Sequence, residues 1–197
     1  MHYPNFFETI DSLVLKDELA AFLGVNDDGL ISFSYVDIVK NAGHSCATVA
    51  GAYLMAFKGL RALYGEEIPE RGRIKVEIRK APVDDNAGVI GCVLSNITGA
   101  TPDYGFGGFP NGRFNRRNLL FYSAPIETDI RLTRLDTDEQ VSINYHPERI
   151  VQPMQILKSA ITPDATQEDK ASFPQRFQRM VHALFEHSDD VVDIIQS

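Results

Sequence analysis

From about Ala47 to Tyr64 the side chains Val49, Tyr53, Ala56, Leu60 and Leu63 recur at helical spacing, and Gly65 stands where a helix would stop. This long helix is the strongest organising signal in the chain. Strand signals follow it. Ile74, Val76 and Ile78 alternate with Lys75, Glu77 and Arg79, the pattern of a half-buried strand. Ile130 and Leu132, then Val141, Ile143 and Tyr145, alternate on either side of Asp136-Thr137-Asp138 and predict a hairpin. Leu119 to Tyr122 reads as a further strand. Helices and strands are both present without strict alternation. The expected fold is therefore α+β, a mixed or antiparallel sheet flanked by long helices.

The remaining segments are predicted as follows. Phe6 to Leu23 has roughly helical apolar spacing, as one or two short helices, and Asn26-Asp27-Asp28-Gly29 is a turn. Leu30 to Val39 is rich in β-branched and aromatic residues and reads as extended. Asp84-Asp85-Asn86 offers N-cap residues to a second helix carrying Val89, Ile90, Val93, Leu94 and Ile97. Cys92, in the middle of that helix, is expected in the core. The tail is helical, with Phe173, Phe177, Met180, Val181, Leu184 and Phe185 on one face and Pro174 in a first turn. A chain of 197 residues suits one domain, with a core at about 30–150, an N-terminal helical segment over 1–25 and a C-terminal one over 153–197.

The formal net charge of -8 makes nucleic acid a poor partner. No apolar run approaches the ~20 residues of a membrane span, and no signal peptide is evident, so the expected compartment is the cytoplasm. Two cysteines, Cys46 and Cys92, make no disulfide framework.

The chemistry is expected at Gly43-His44-Ser45-Cys46. A helix start supplies unpaired N–H groups and the positive end of a dipole. Both favour the thiolate of Cys46, the form that binds metal or attacks an electrophile. His44 supplies a ligand nitrogen or a base. A zinc site takes three or four protein ligands, so these two residues need others to complete it. The Gly-rich loop from Thr101 to about Asn115 carries Tyr104, Phe106 and Phe109 and ends on Arg113, Arg116 and Arg117. Arginine forks grip carboxylate and phosphate, so Tyr104, Arg113, Arg116 and Arg117 are candidate substrate-binding residues of a lid over an anionic or aromatic small molecule. A solvated loop whose arginines pair with surface carboxylates is the competing reading. His146, His182 and His187 are expected to be exposed.

The segment from about Asn41 to Tyr122 resembles the FmdE family, which takes its name from a component of formylmethanofuran dehydrogenase. Ala42-Gly43-His44-Ser45-Cys46-Ala47-Thr48 falls on that family's His-Gly-His-x-Cys-Pro-Gly signature, and Ala50 and Tyr53 match the following helix. Asp85-Asn86-Ala87-Gly88-Val89 and Leu94 to Thr101 fall on its second helix, and Asn118-Leu119-Leu120-Phe121 on its strand start. Ala42, Val89 and Ala100 stand where the family carries a histidine and two cysteines. No cysteine follows Cys92, so the C-terminal zinc finger of some members is absent.

The resemblance implies an α+β, metal-binding protein that forms homodimers. It implies a divalent transition metal (zinc first, nickel or iron otherwise) on His44 and Cys46, and it gives Asp85 a place as oxygen ligand or base. Two alternatives stay open. One is metal-independent chemistry with Cys46 as nucleophile and His44 or Asp85 as base. The other is a non-catalytic ligand-binding or subunit-type protein.

Overall fold

The computed structural model describes residues 2–196. After a 3₁₀ turn at Asn5–Thr9 the chain forms strand β1 (Leu13–Lys16), helix α1 (Glu18–Phe22), strand β2 (Leu30–Phe33) and helix α2 (Tyr35–Ala42). The long helix α3 (Ala47–Tyr64) follows, then β3 (Ile74–Ile78), α4 (Ala87–Thr98) and the short β4 (Leu120–Phe121). The hairpin β5 (Ile130–Arg134) and β6 (Gln140–Tyr145) precedes a 3₁₀ turn at Pro147–Arg149. Helices α5 (Pro153–Ile161), α6 (Gln167–Glu186) and α7 (Ser188–Val191) lead into β7 (Val192–Gln196).

The fold is α+β. The main sheet runs β4-β3-β5-β6-β7; β3 and β4 are parallel and the other pairs antiparallel. β1 and β2 form a separate antiparallel pair. The expected alternation over Ile74–Ile78 and the expected hairpin are both present. Glu77 departs from the half-buried pattern, because it too is buried. It lies opposite Arg131 across the ladder and accepts two hydrogen bonds of 2.8 Å from that guanidinium. A bidentate pair of this kind compensates the loss of hydration.

Helix α3 is apolar on most of its circumference because it packs against the sheet and against α4 and α6. Two glycines set how closely it lies on the sheet. A Cβ on Gly51 would come 2.2 Å from Cε1 of Tyr145, and one on Gly59 would come 2.4 Å from Cδ1 of Ile143. The Tyr145 hydroxyl reaches over Gly51 and donates to the Ala47 carbonyl (2.8 Å) in the first turn of α3.

Several local expectations are corrected. Phe6 to Leu23 is not helical throughout. Leu13 and Leu15 alternate buried with exposed Val14 and Lys16, and that period of two pairs the segment with β2. The helix resumes at α1 only because the Asp17 carboxylate accepts from the backbone N–H groups of Leu19 and Ala20. The extended run from Leu30 stops at Phe33, where Ser34 and Asp37 form a capping box that starts α2. Pro174 lies inside α6, not in its first turn, because the capping box of Thr166 and Asp169 starts that helix earlier. Asp84 and Asp85 do not cap α4. Its N-cap is Asn86, and Asp85 adopts a positive φ of 47°.

Candidate functional site: a cationic cavity beside His44

Helix α2 ends on Gly43, whose φ of 76° is the left-handed value that glycine tolerates best. The chain then turns through His44 and Ser45, and Cys46 becomes the N-cap of α3 in extended geometry, as expected from the sequence. The corner sends its side chains in different directions. His44 is exposed, and its Nδ1–H donates to the Ala42 carbonyl (3.0 Å). Ser45 turns inward, with its Oγ 2.9 Å from the Tyr35 hydroxyl, and its carbonyl accepts from Gln178 of α6. Cys46 packs against the core near Tyr35 and Tyr145. Burial pushes both phenols up from their ordinary pKa, so neither is a base at neutral pH.

His44 lines a cavity of about 1060 Å³ whose walls come from α4, the corner after α2 and the Gly-rich loop. Cys46 does not line it. Cys92 does: contrary to expectation it is exposed, because Val93, Leu94 and Ile97 take the core-facing positions of α4. Tyr104 and Phe106 of the loop and Tyr122 after β4 supply aromatic surface. The Tyr122 hydroxyl passes over Gly91, where a Cβ would come 1.9 Å from it. No protein partner for that hydroxyl is found among the described residues.

The cavity's charge comes from Arg71 and Arg116, joined through a buried carboxylate that does not itself line the cavity. Arg71 donates from Nη1 to Asp17 (2.8 Å), from Nε to the Ile97 carbonyl (3.1 Å) and from Nη2 to the Asn96 carbonyl (3.0 Å). It thereby satisfies the last turn of α4, a helix end that favours a cation. Arg116 is 6% exposed and donates from Nη2 to the other oxygen of Asp17 (2.7 Å). Two guanidiniums share one carboxylate, which leaves one positive charge. Burial lowers the pKa of Arg116; Asp17 opposes this effect and the neighbouring Arg71 adds to it. No Asp or Glu lines the cavity among the described residues. In a chain with a formal net charge of -8 that is a local reversal of sign.

The loop residues expected to act together are separated. Tyr104 and Arg116 reach the cavity with His44. Arg117 instead ties the loop to itself, donating from Nε to the Gly105 carbonyl (2.7 Å). Arg113 turns to the opposite face, its guanidinium 4.5 Å from the Phe114 ring centroid and 5.6 Å from that of Phe22. The loop ends are closed by Thr101, whose N–H and Oγ1 both donate to the Arg116 carbonyl. Asp85 is exposed, paired with Lys80 at 2.5 Å, and outside the cavity. The Lys80 ammonium holds its carboxyl below the usual range, the opposite of a base poised near neutrality.

His146 lies 3.0 Å from Glu148 and 3.5 Å from Asp193, His182 stacks on Phe6, and His187 pairs with Asp190. None of the three lines the His44 cavity. No group of three or more His, Cys, Asp or Glu side chains suited to a metal ion is found among the described residues. No helix among them is long and apolar enough to cross a membrane.

Asp17, Arg71, Tyr122 and the exposure of Cys92 are parts of the site that were not expected from the sequence. Only Asp17 had a local signal, a capping residue before Glu18-Leu19-Ala20. Arg71 acts through partners far away in the chain. Neither a protein-family model nor a curated protein sequence matches this chain.

Proposed function

We propose that this chain is a cytoplasmic, FmdE-like protein that binds a small anionic molecule with an aromatic or apolar body in the cavity beside His44. One observation carries the reading. The cavity is walled by His44, Arg71 and Arg116 with no carboxylate among the described residues, although the chain as a whole is acidic. Such a wall attracts an anion, and the surrounding Tyr104, Phe106 and Tyr122 suit a flat or apolar body. Among the roles expected from the sequence, non-catalytic ligand binding has the most support. A nucleophilic Cys46 would have to act from a position outside the cavity.

The test is calorimetric titration with benzoate and phenyl phosphate. At least one should bind, and His44→Ala and Tyr104→Ala should each weaken it several-fold. Binding of neither probe, or equal binding by the double variant, removes the reading.

A resident divalent metal, zinc with nickel or iron as alternatives, is a second reading, supported by the His44-Ser45-Cys46 sequence and the family resemblance. The donor set fits it poorly. His44 and Cys46 do not share the cavity, and Ala42, Val89 and Ala100 offer no ligand atoms from their side chains. Elemental analysis of protein purified without a metal-affinity tag decides it. Stoichiometric metal, lost in both His44→Ala and Cys46→Ser, restores the metal site. A homodimer belongs to the same resemblance, and sedimentation velocity tests it.

A further inference from the structure

The Asp17–Arg71–Arg116 cluster is a partition with a cavity on each side. Behind it, away from His44, lies a cleft of about 580 Å³. Four arginines line it: Arg71, Arg73, Arg113 and Arg116. Two carboxylates, Glu18 and Glu70, face them, and Asp17 is held between Arg71 and Arg116, so the cleft with its partition carries a formal charge of one positive unit (four minus three).

The arginines are incompletely paired. Arg116 is nine-tenths buried, yet only its Nη2 has a protein acceptor among the described residues. Arg113 is exposed and rests on aromatic rings, with no carboxylate partner among the described residues. Arg73 meets Glu70 only at 3.9 Å. Burial, then the neighbouring Glu18, raises the pKa of Glu70, with Arg73 opposing them. A buried guanidinium with vacant N–H groups, flanked by two exposed ones, suits an oxyanion whose several oxygens are gripped from different sides.

We propose that this cleft is a second, separate binding site, and that it takes the di- or polyphosphate group of a small molecule. Arg71 and Arg116 are shared with the His44 cavity, but Arg73 and Arg113 line only the cleft and Tyr104 lines only the cavity, so variants at these residues test the two sites separately.

The experiment is titration of the full chain with inorganic pyrophosphate, with citrate as the tricarboxylate comparison. The variants are Arg73→Ala/Arg113→Ala and Tyr104→Ala. Arg73 and Arg113 are both exposed and lie outside the buried cluster, so the double variant keeps its fold, which circular dichroism verifies. The expected result is pyrophosphate binding that weakens by roughly tenfold or more in the double variant, the scale of losing charge-assisted contacts. Tyr104→Ala should leave it unchanged, and citrate should bind more weakly. No binding to the unmodified chain, no effect of the double variant, or an equal loss in Tyr104→Ala overturns the site. Citrate binding as tightly as pyrophosphate overturns the phosphate assignment. Each of these results leaves the benzoate and phenyl phosphate test of the His44 cavity standing on its own.

Discussion

Asp17 Oδ1 accepts a 2.7 Å hydrogen bond from Arg116 Nη2, and both side chains are buried. The same carboxylate accepts from Arg71 and caps α1 through Leu19 and Ala20. One residue thus joins the N-terminal β1–α1 unit, the approach to β3 and the end of the Gly-rich loop. Replacing one partner of a buried charge pair leaves the other uncompensated, which costs about 3–5 kcal/mol. Asp17→Asn keeps the shape and an adequate cap, so its loss reports the charge. Urea denaturation should show a stability loss of that order. A loss below about 1 kcal/mol, the range of an exposed pair, would show that the cluster does not hold the loop.

The same carboxylate fixes a pH dependence. Burial acts to raise the pKa of Asp17, but the Arg71 hydrogen bond and the charges of Arg116 and Arg71 outweigh it and hold the group below its usual range. For Glu77 the Arg131 hydrogen bond is the largest influence; burial opposes it, Lys75 adds to it, and the net direction is again down. A carboxylate with a depressed folded pKa contributes stability that is full above its unfolded pKa, about 4, and is lost as pH falls through the folded value. Urea midpoints should therefore be level between pH 7 and 5 and drop steeply below about 4. The drop should be shallower in Asp17→Asn, which lacks one of these two buried carboxylates. An identical acid slope in that variant would falsify the assignment.

Gly51 tests the contact between α3 and the sheet. Inside a helix, alanine is favoured over glycine by about 1 kcal/mol. Here the added Cβ would lie 2.2 Å from the Tyr145 ring. The hydroxyl of that ring is held on the Ala47 carbonyl and its backbone is fixed at the end of β6, so it has little freedom to retreat. Overpacking typically costs about 1–3 kcal/mol. Gly51→Ala should therefore lower the thermal midpoint, whereas a gain in stability would show that Tyr145 moves freely.

What the sequence displays follows from the range of the interactions. Helix α3, strand β3 and the β5–β6 hairpin each repeat their apolar residues at a period visible within a few turns or pairs, so their type and approximate position are legible. The β1 segment is not, because Leu13 and Leu15 sit among Ile10, Leu19 and Phe22, whose spacing imitates a helix. The site is less legible still. Arg116 reads as a ligand-binding arginine, but its first partner is Asp17, 99 residues earlier in the chain. Arg71 carries no local mark of its hydrogen bonds to Asn96 and Ile97. Arg113 and Arg116 are close in sequence, yet the turn between them sends the Arg113 side chain to the far cleft. The position of His44 and Cys46 at a helix start is legible. Their divergence is not, because it depends on Gly43 adopting a positive φ and on Tyr35 and Gln178 drawing Ser45 inward.

The two cysteines give the last prediction. Cys46 is at a helix start, but it is partly buried against the core. Cys92 has no such position, but it is exposed on the cavity wall beside Tyr122. Access is a precondition for attack on a bulky reagent, so access should decide the order. With limiting N-ethylmaleimide, peptide mass spectrometry should find Cys92 modified before Cys46. Saturating benzoate or phenyl phosphate, whichever binds, should slow labelling of Cys92, because the ligand shares its cavity. Pyrophosphate, held behind the Asp17–Arg71–Arg116 partition, should not. Faster labelling of Cys46 than of Cys92 would reverse the assignment and return thiol chemistry to the His44-Ser45-Cys46 corner. Protection of Cys92 by pyrophosphate would place that anion in the wrong cavity.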